Sequence, residues 1–357
     1  MLHKNLIATL TLVCAVAAAA PAAAAETITR KRDKQISGEV SGVSKTEVTV
    51  KVKTPKEDTI KVPANEIQSI AWTGDTPDVG LARNNENGGK YQLAIDGYQK
   101  ALQAGKSANA FAKADLEFGI ARASAKLALG EPSKLDDAIK KLDDFRKSQS
   151  DHYRFYEAVN YLGQLYSAKK DFLKAKVAFD TLGKAPWKEY QMAAKIASGR
   201  LLLHENKLDE AAAEYEAVVA MKPEGSVEES QRQEALLGKA QILIAQRKYD
   251  DSLVLLDEVI KNAAGDDSKV NAEAFLRRGD CLREKGDDKD ALLAYLLVDV
   301  MFASEKPQHA EALYRLVPLW DKVGKKDRAD DARDRLKSDY DYTDWAKQLK
   351  APAASGG

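Results

Sequence analysis

Few side chains of this sequence combine the types and the spacing that chemistry requires. No histidine pair follows the His-Glu-x-x-His spacing of a zinc site, and cysteine and histidine do not cluster. The acid-rich run Gly286–Asp290 also differs from a calcium-binding loop, because its glycine precedes the acids and Lys289 interrupts them. Such aspartates are typical of a turn or the first turn of a helix, where they interact with free backbone N–H groups. The sequence therefore predicts no metal site.

Motifs for catalysis and cofactor binding are missing as well. The chain has no Gly-x-Ser-x-Gly elbow, no phosphate-cradling glycine-rich loop and no dinucleotide fingerprint. Lys and Arg number 55 and Asp and Glu number 55, so charge is plentiful but balanced, and no spacing singles out a catalytic pair. That balance gives no overall field to attract nucleic acid or anionic lipid. We expect a protein that is not an enzyme, needs no cofactor and binds no nucleic acid.

The elements that would position a binding site are repeated pairs of helices. Three similar stretches, Leu162–Leu182, Gly199–Val218 and Arg278–Val298, each place small, apolar and aromatic residues at helical spacing on both sides of a polar turn. This pattern predicts two amphipathic helices joined by a short turn. A single helical hairpin cannot bury its own apolar face, so copies must stack on one another.

Small residues mark where the two helices of each hairpin cross. Alignment of the second helices on their small residue gives seven copies, 36 to 44 residues apart by subtraction: Ala94, Ala138, Ala175, Ala211, Ser252, Ala291 and Ala329. The corresponding residues of the first helices are Ala82, Gly163, Gly199, Ala240, Gly279 and the bulkier Val317, with Gly119 as a candidate in the second copy. We expect Gly163 to face Ala175 and Gly279 to face Ala291.

On these residues, the helical part over 75–338 resembles the tetratricopeptide repeat family, whose repeat has about 34 residues. The resemblance implies a superhelical solenoid whose first helices line a concave groove that binds a protein or peptide. Counting from the small residue of each first helix, the polar candidates for that groove are Asn160, Gln164, Arg200, Gln241 and Arg283, mixed with Ile196, Leu237 and Leu276. The alternative is that these polar side chains form an ordinary solvated face.

A different pattern precedes the helices, over residues 26–74. The run Val48–Val52 alternates apolar and polar residues, as a strand with one buried face does, and glycine and proline interrupt similar runs. We predict four or five short strands and a one-turn helix over 63–67. The segment resembles the small SH3-like and Sm-like barrels, and the second of these implies RNA binding. The simpler interpretation is a packing or interaction module.

The two ends of the chain show different features again. Leu6–Val16 is apolar and Ala23–Ala25 precede Glu26, which predicts a signal peptide over 1–25 with cleavage after Ala25. The alternative is an uncleaved membrane anchor, although the run is shorter than the roughly 20 residues that a span needs. At the other end we expect a capping helix over 339–350 and a frayed tail over 351–357.

The sequence as a whole predicts a mainly α protein, a tetratricopeptide-type α-α superhelix preceded by a small β-barrel module. We interpret it as a periplasmic or secreted scaffold that binds a protein or peptide partner of the cell envelope. Two other functions stay open. One is a cell-envelope factor that positions a substrate for an enzyme, and the other is an RNA-binding module of the Sm-like type.

Overall fold

The computed structural model describes residues 25–31, 35–53, 57–104 and 109–350. The predicted signal peptide and the tail over 351–357 lie outside these ranges, apart from Ala25. In the described part of the chain, five strands are followed by fifteen α-helices, and two one-turn 3-10 helices cover Ala64–Glu66 and Pro132–Lys134.

The strands form one antiparallel sheet in the order β4-β3-β2-β1-β5. Val48, Val50 and Val52 are buried while the residues between them are not, which confirms the predicted alternation. The one-turn helix predicted over 63–67 is also confirmed, as the 3-10 helix between the last two strands. β4 and β5 stand at the two ends of the strand order, and closure into a barrel stays a prediction. The strands are β1 Glu26–Arg30, β2 Gln35–Val43, β3 Glu47–Lys53, β4 Glu57–Pro63 and β5 Ile67–Ala71.

The helices form seven consecutive hairpins, each made of an odd-numbered helix and the even-numbered helix that follows it. Acidic or amide side chains begin several of them; the Asp171 carboxylate, for example, accepts the Lys174 N–H at 3.2 Å. The helices are α1 Pro77–Asn87, α2 Tyr91–Gln103, α3 Ala110–Gly130, α4 Leu135–Ser148, α5 Phe155–Ala168, α6 Phe172–Leu182, α7 Lys188–His204, α8 Leu208–Val219, α9 Ser226–Ala245, α10 Tyr249–Asn262, α11 Ser268–Glu284, α12 Asp288–Met301, α13 Lys306–Lys322, α14 Lys326–Asp339 and α15 Asp344–Lys350.

The small residues of the repeat lie at the centre of the hairpins. All seven of the aligned second-helix residues are fully buried: Ala94, Ala138, Ala175, Ala211, Ser252, Ala291 and Ala329. On the first helices Ala82 and Ala240 have no exposed surface, and Gly163, Gly199 and Gly279 are buried.

Aromatic rings lie directly in front of the buried glycines. A Cβ added at Gly163 would lie 2.3 Å from the Phe179 ring, and one added at Gly279 would lie 2.5 Å from the Tyr295 ring. An aromatic ring is therefore the nearest neighbour of each glycine, and the expected pairing with Ala175 and Ala291 stays a prediction. Each ring belongs to the residue four positions after the small residue of the second helix. Helical side chains lean toward the N-terminus of their helix, so the ring extends back over the small residue and fills the space in front of the glycine of the first helix.

The C-terminal cap is shorter than the helix predicted over 339–350. α14 ends at Asp339, and Thr343 begins α15 by accepting the Ala346 N–H on its hydroxyl at 3.2 Å. The intervening turn lets the Trp345 ring reach Tyr314 of α13, with 5.1 Å between the ring centroids. α15 thus covers the last hairpin from the side of its first helix.

The sheet packs against the first hairpins rather than standing apart. The Arg154 guanidinium, immediately before α5, donates to the Ile67 carbonyl at 3.3 Å and to the Gln68 carbonyl at 2.7 Å. The Trp72 indole N–H donates to the Asp115 carboxylate of α3 at 3.1 Å. Further along, the Lys31 ammonium reaches the Glu189 carboxylate of α7 at 3.2 Å. The sheet therefore spans the N-terminal ends of α3, α5 and α7.

Candidate binding site

The odd-numbered helices are joined by polar side chains that reach from one hairpin to the next. At the start of the stack, the Glu86 carboxylate of α1 accepts from Arg122 at 2.7 Å and from Lys126 at 2.9 Å, both on α3. Arg122 also lies 3.5 Å from Glu157 of α5. Burial raises the pKa of Glu86, but the two cations have the larger effect and lower the pKa to about 2. These pairs tie α1, α3 and α5 together.

A second polar series begins at α7. The Glu234 carboxylate of α9 accepts from Arg200 of α7 at 2.8 Å and from Lys269 of α11 at 2.7 Å. Burial raises the pKa of Glu234, but Arg200 and Lys269 outweigh that effect and hold the pKa below its usual value. The Glu234 carboxylate is therefore ionised at neutral pH.

The same series continues to the last hairpin. The Glu273 carboxylate of α11 accepts from Gln241 of α9 at 2.8 Å and from Gln308 of α13 at 3.2 Å. The Arg277 guanidinium of α11 lies 2.7 Å from the Glu311 carboxylate of α13. α7, α9, α11 and α13 therefore form a second connected set.

Between these two sets, α5 and α7 leave a cavity of about 570 Å³. In the ranges that the structure describes, no ion pair joins α5 to α7. α5 contributes Asn160, Gln164 and Ser167 to the cavity wall, and α9 and α11 contribute Gln231, Glu234 and Lys269. The remaining wall is mostly apolar and consists of Leu129, Phe172, Phe179, Ala193, Ile196, Ala197, Arg200, Leu201 and His204.

The polar groups of this cavity are arranged for recognition rather than for reaction. The Gln164 amide donates to the Asn160 side-chain carbonyl at 3.2 Å, so the two amides lie one turn apart on the same side of α5. The His204 ring packs against Phe172 in a tilted arrangement, with 4.5 Å between centroids. The Arg200 side chain is about half exposed (52%) and extends toward solvent. The wall offers donors, acceptors and apolar surface, but no aligned nucleophile and base.

The structure brings together three of the five predicted groove residues. Asn160, Gln164 and Arg200 line the cavity between α5 and α7. Gln241 lines a smaller neighbouring cavity of about 110 Å³, which shares Arg200, Glu234 and Lys269 with the first. Arg283 lies at the end of α11, where it donates to Glu284 at 2.7 Å, and it lines neither cavity.

Of the three apolar residues predicted for the groove, two line a cavity and one does not. Ile196 lines the larger cavity and Leu237 the smaller one. Leu276 is fully buried in the hydrophobic core, so its side chain contacts neighbouring helices and not a partner.

Two charged residues of the site were not among the sequence candidates. Glu234 follows Arg200 by 34 residues, and Lys269 follows Glu234 by 35. Both intervals are close to one repeat, so a search for opposite charges at the repeat spacing would have found them.

Residues 237–299, in the second half of the stack, match the family model described as tetratricopeptide repeat. The helical part is a tetratricopeptide-like solenoid. Over 180 residues, 47% of this chain, the sequence is 25% identical to DnaJ homolog subfamily C member 3 of Gallus gallus, and the match spans 34% of that relative.

Solved structures resemble the solenoid in fold. A tetratricopeptide repeat protein from Parabacteroides merdae matches with a TM-score of 0.54 and 16% identity, over 76% of this chain and 95% of that one. The apo form of the quorum sensor NprR from B. thuringiensis matches with a TM-score of 0.54 and 13% identity, over 72% of this chain and 74% of that one. A Rap protein complexed with Competence and Sporulation Factor matches with a TM-score of 0.51 and 14% identity, over 76% of this chain and 77% of that one. Identities this low show the fold alone.

The acidic side chains and the apolar helices of the described part form neither a metal site nor a membrane span. No group of three or more His, Cys, Asp or Glu side chains there is placed to hold a metal ion. Asp288 and Asp290 lie instead in the first turn of α12, where negative charge is favourable. None of the helices within these ranges is both long enough and apolar enough to cross a membrane.

Proposed function

We propose that this protein is a binding scaffold whose solenoid holds an extended segment of a protein or peptide partner in the cavity between α5 and α7. The observation that carries the proposal is the interruption of the polar series at this one junction. Among the seven hairpins, every other pair of neighbouring first helices is joined by charged or amide side chains across the gap, within the described residues. Here the corresponding side chains, Asn160 and Gln164, bond only to each other.

The walls of the cavity suit a peptide in an extended conformation. An extended backbone presents unpaired N–H and C=O groups, and the Asn160 and Gln164 amides each offer both a donor and an acceptor. Ile196, Phe172 and Phe179 provide apolar surface for one or two side chains of the segment. At about 570 Å³ the cavity has room for such side chains but not for a folded domain. The rest of the partner would lie along the odd-numbered helices.

Export of the scaffold and a partner in the cell envelope belong to the same proposal. They are supported by the apolar run Leu6–Val16 and the alanines before Glu26, which have the order of a signal peptide. The absence of catalysis is also part of the proposal, supported by the recognition chemistry of the cavity. The Rap structure, solved in complex with Competence and Sporulation Factor, is a precedent for ligand binding in this fold. The SH3-like or Sm-like identity of the sheet, the enzyme-positioning role and RNA binding stay predictions.

The proposal is tested by photo-cross-linking in intact cells. A photoreactive residue is placed at Gln164, which lines the cavity, and in a second variant at Gln99, an exposed glutamine on α2. We expect a defined partner to be captured at position 164 and not at 99. Ala197→Trp, which fills the cavity, should abolish the capture while the far-UV CD spectrum stays unchanged.

Charge reversal gives a matched pair of variants for the same assay. Arg200→Glu places a carboxylate beside Glu234 at the cavity rim and should weaken capture. Arg283→Glu makes the same chemical change on a side chain that lines neither cavity, and it should have no effect. If both charge-reversal variants capture the partner equally well, and Ala197→Trp captures it too, the partner does not bind in this cavity.

A further inference from the structure

A second groove lies on the other side of α5, between α4 and α6. It has a volume of about 310 Å³, and its floor consists of Val159, Leu162, Tyr166, Val177 and Ala178. Four charged side chains and a threonine form its rim: Asp143, Arg146, Lys147, Lys174 and Thr181. It shares no lining residue with the cavity between α5 and α7.

α5 separates the two sites. Asn160, Gln164 and Ser167 line the cavity, whereas Val159, Leu162 and Tyr166 line this groove. At 3.6 residues per turn the two sets point in directions roughly 130° apart around the helix axis. A partner in the groove would therefore not compete with a segment in the cavity.

The groove continues onto apolar surface that lies open to solvent. Leu173 is 82% exposed and Val177 is 66% exposed, and they occupy successive turns on one side of α6. Large apolar side chains with this much exposure, placed beside a preformed apolar groove, are typical of an interaction surface. Isolated exposed residues would need no such explanation, but Val177 belongs to the apolar floor and Leu173 lies one turn before it on α6.

Cations outnumber acids around this apolar floor. Asp143 is shared between Arg146 at 2.9 Å and Lys147 at 3.6 Å, so one carboxylate serves two cations. Lys174, over the Tyr166 ring at 5.5 Å from its centroid, is the third cation of the rim, and it also lies 2.9 Å from the Asp171 carboxylate. With Asp171 included, three positive groups lie beside two carboxylates, so the rim keeps a net positive charge. A complementary partner needs apolar side chains flanked by carboxylates.

We propose that this outer groove binds an amphipathic helix of a partner protein whose apolar side carries acidic flanks. The walls are helices, whose backbone groups are already paired, so recognition has to pass through side chains. Unlike the cavity, this groove has no amide side chain in its lining to pair with an extended backbone, whereas a helix already pairs its own. Leu or Phe side chains recurring at i, i+4 and i+7 on such a helix would fill the floor. Glu or Asp beside them would pair with Lys147 and Lys174 at the rim.

The proposal is tested with the full chain and two synthetic peptides. Each is an amphipathic helical peptide of about 18 residues, long enough to form a helix on binding. Both have Leu at i, i+4 and i+7; one has Glu flanks and the other has Lys flanks. Fluorescence anisotropy should show the acidic peptide binding about tenfold more tightly, as expected for one or two partly exposed ion pairs.

Variants on the groove and on a distant surface locate the binding. Val177→Glu should abolish it and Lys147→Glu with Lys174→Glu should reverse the preference. Both changes are at exposed or rim positions, and CD spectra check that the fold is retained. Val300→Glu, on the similarly exposed surface of α12, should change nothing. Equal affinity for the two peptides, or binding that survives Val177→Glu, would overturn the proposal. So would Val177-dependent binding to phosphatidylserine vesicles without binding to either peptide, because it would assign the surface to a membrane.

Discussion

At the scale of single residues, stability depends on how closely a ring can approach a glycine. The Tyr215 ring shows this most clearly, because it lies against Gly199 of its own hairpin and also against Gly238 of the next one. A Cβ at these positions would come within 2.7 Å and 2.3 Å of the ring. One aromatic side chain thus joins two successive hairpins where both first helices lack a side chain.

The first prediction compares two glycines that both lie within helices. Gly163→Ala should lower the free energy of unfolding by about 1–3 kcal/mol, since the Phe179 ring has to move in a packed interior. Gly80→Ala should raise it by up to about 1 kcal/mol, because α1 leaves open space there and alanine favours helix. Urea unfolding measures both. A stabilising Gly163→Ala would show that the ring does not occupy this space.

A second residue-scale prediction concerns Glu86 and pH. Its pKa is lowered from 4.5 to about 2 in the folded protein, where its side chain is almost fully buried. A lowered pKa gives stability that is fully present above about pH 4.5 and is lost as the pH falls toward 2. Each unit corresponds to about 1.4 kcal/mol, so the contribution is about 3 kcal/mol.

Glu86→Gln isolates this contribution. The variant should be less stable than the unchanged protein by about 3 kcal/mol near neutral pH, and the difference should shrink as the pH falls below about 4.5. Urea unfolding over a pH series measures it. A difference that stays constant down to about pH 3 would contradict the lowered pKa of Glu86.

At the scale of elements, the hairpin turns share one backbone device. Six of the seven turns in the described hairpins contain a residue with positive φ: Gly89, Lys170, Asn206, Arg247, Gly286 and Gly324. In each, the next residue's N–H bonds to the carbonyl five residues earlier, as Lys248 does to Leu243 at 2.8 Å. This is the Schellman arrangement that ends a helix. The turn between α3 and α4 is different and contains the 3-10 helix Pro132–Lys134.

The shared turn gives an element-scale prediction. Arg247→Gly should raise the free energy of unfolding by about 1 kcal/mol, because a side chain at φ 60° is strained and glycine is not. Gly286→Arg should lower it by a similar amount, even though a Cβ there would touch nothing within 4 Å. The melting temperatures of the two variants should move in opposite directions. A shift in the same direction would mean that the turn conformation is set by something other than the backbone.

Much of the helical architecture could be predicted from the sequence because small residues at fixed spacing are a direct consequence of helix crossing. Which side chain lies closest to each glycine could not be predicted, since Phe179 and Ala175 lie on the same side of α6 and only the side-chain direction distinguishes them. The cavity was not predictable for another reason. It lies where α5 and α7 lack the polar link that joins the other neighbouring first helices, and a sequence pattern does not show a missing contact in space.

At the scale of the whole molecule, the sheet and the solenoid behave as one packed body. Arg154 is the main link, since it bonds two carbonyls of the edge strand β5 and also lies 2.8 Å from Glu157 of α5. The core of the sheet includes Ala112 and Tyr153 from the helical part. The sequence indicated strands and a stack of helices, but it contained no signal for how the two would be docked.

Docking of the sheet gives a prediction for the whole molecule. Arg154→Ala leaves the Ile67 and Gln68 carbonyls without their donor and removes one of the two cations beside Glu157, and it should cost about 3 kcal/mol or more. Lys31→Ala removes a half-exposed partner of Glu189 and should cost less than about 1 kcal/mol. Hydrogen exchange should become faster in β5 for the first variant only. Equal, small effects would mean that the sheet is held by its apolar core alone.

Hydrogen exchange of the full chain, with and without the partner captured at position 164, tests the binding site itself. The account predicts slower exchange at amides over 158–168 in α5 and 193–204 in α7, the two walls of the cavity, with no change in α12. Slower exchange confined to the sheet or to α12, with α5 and α7 unaffected, would contradict it.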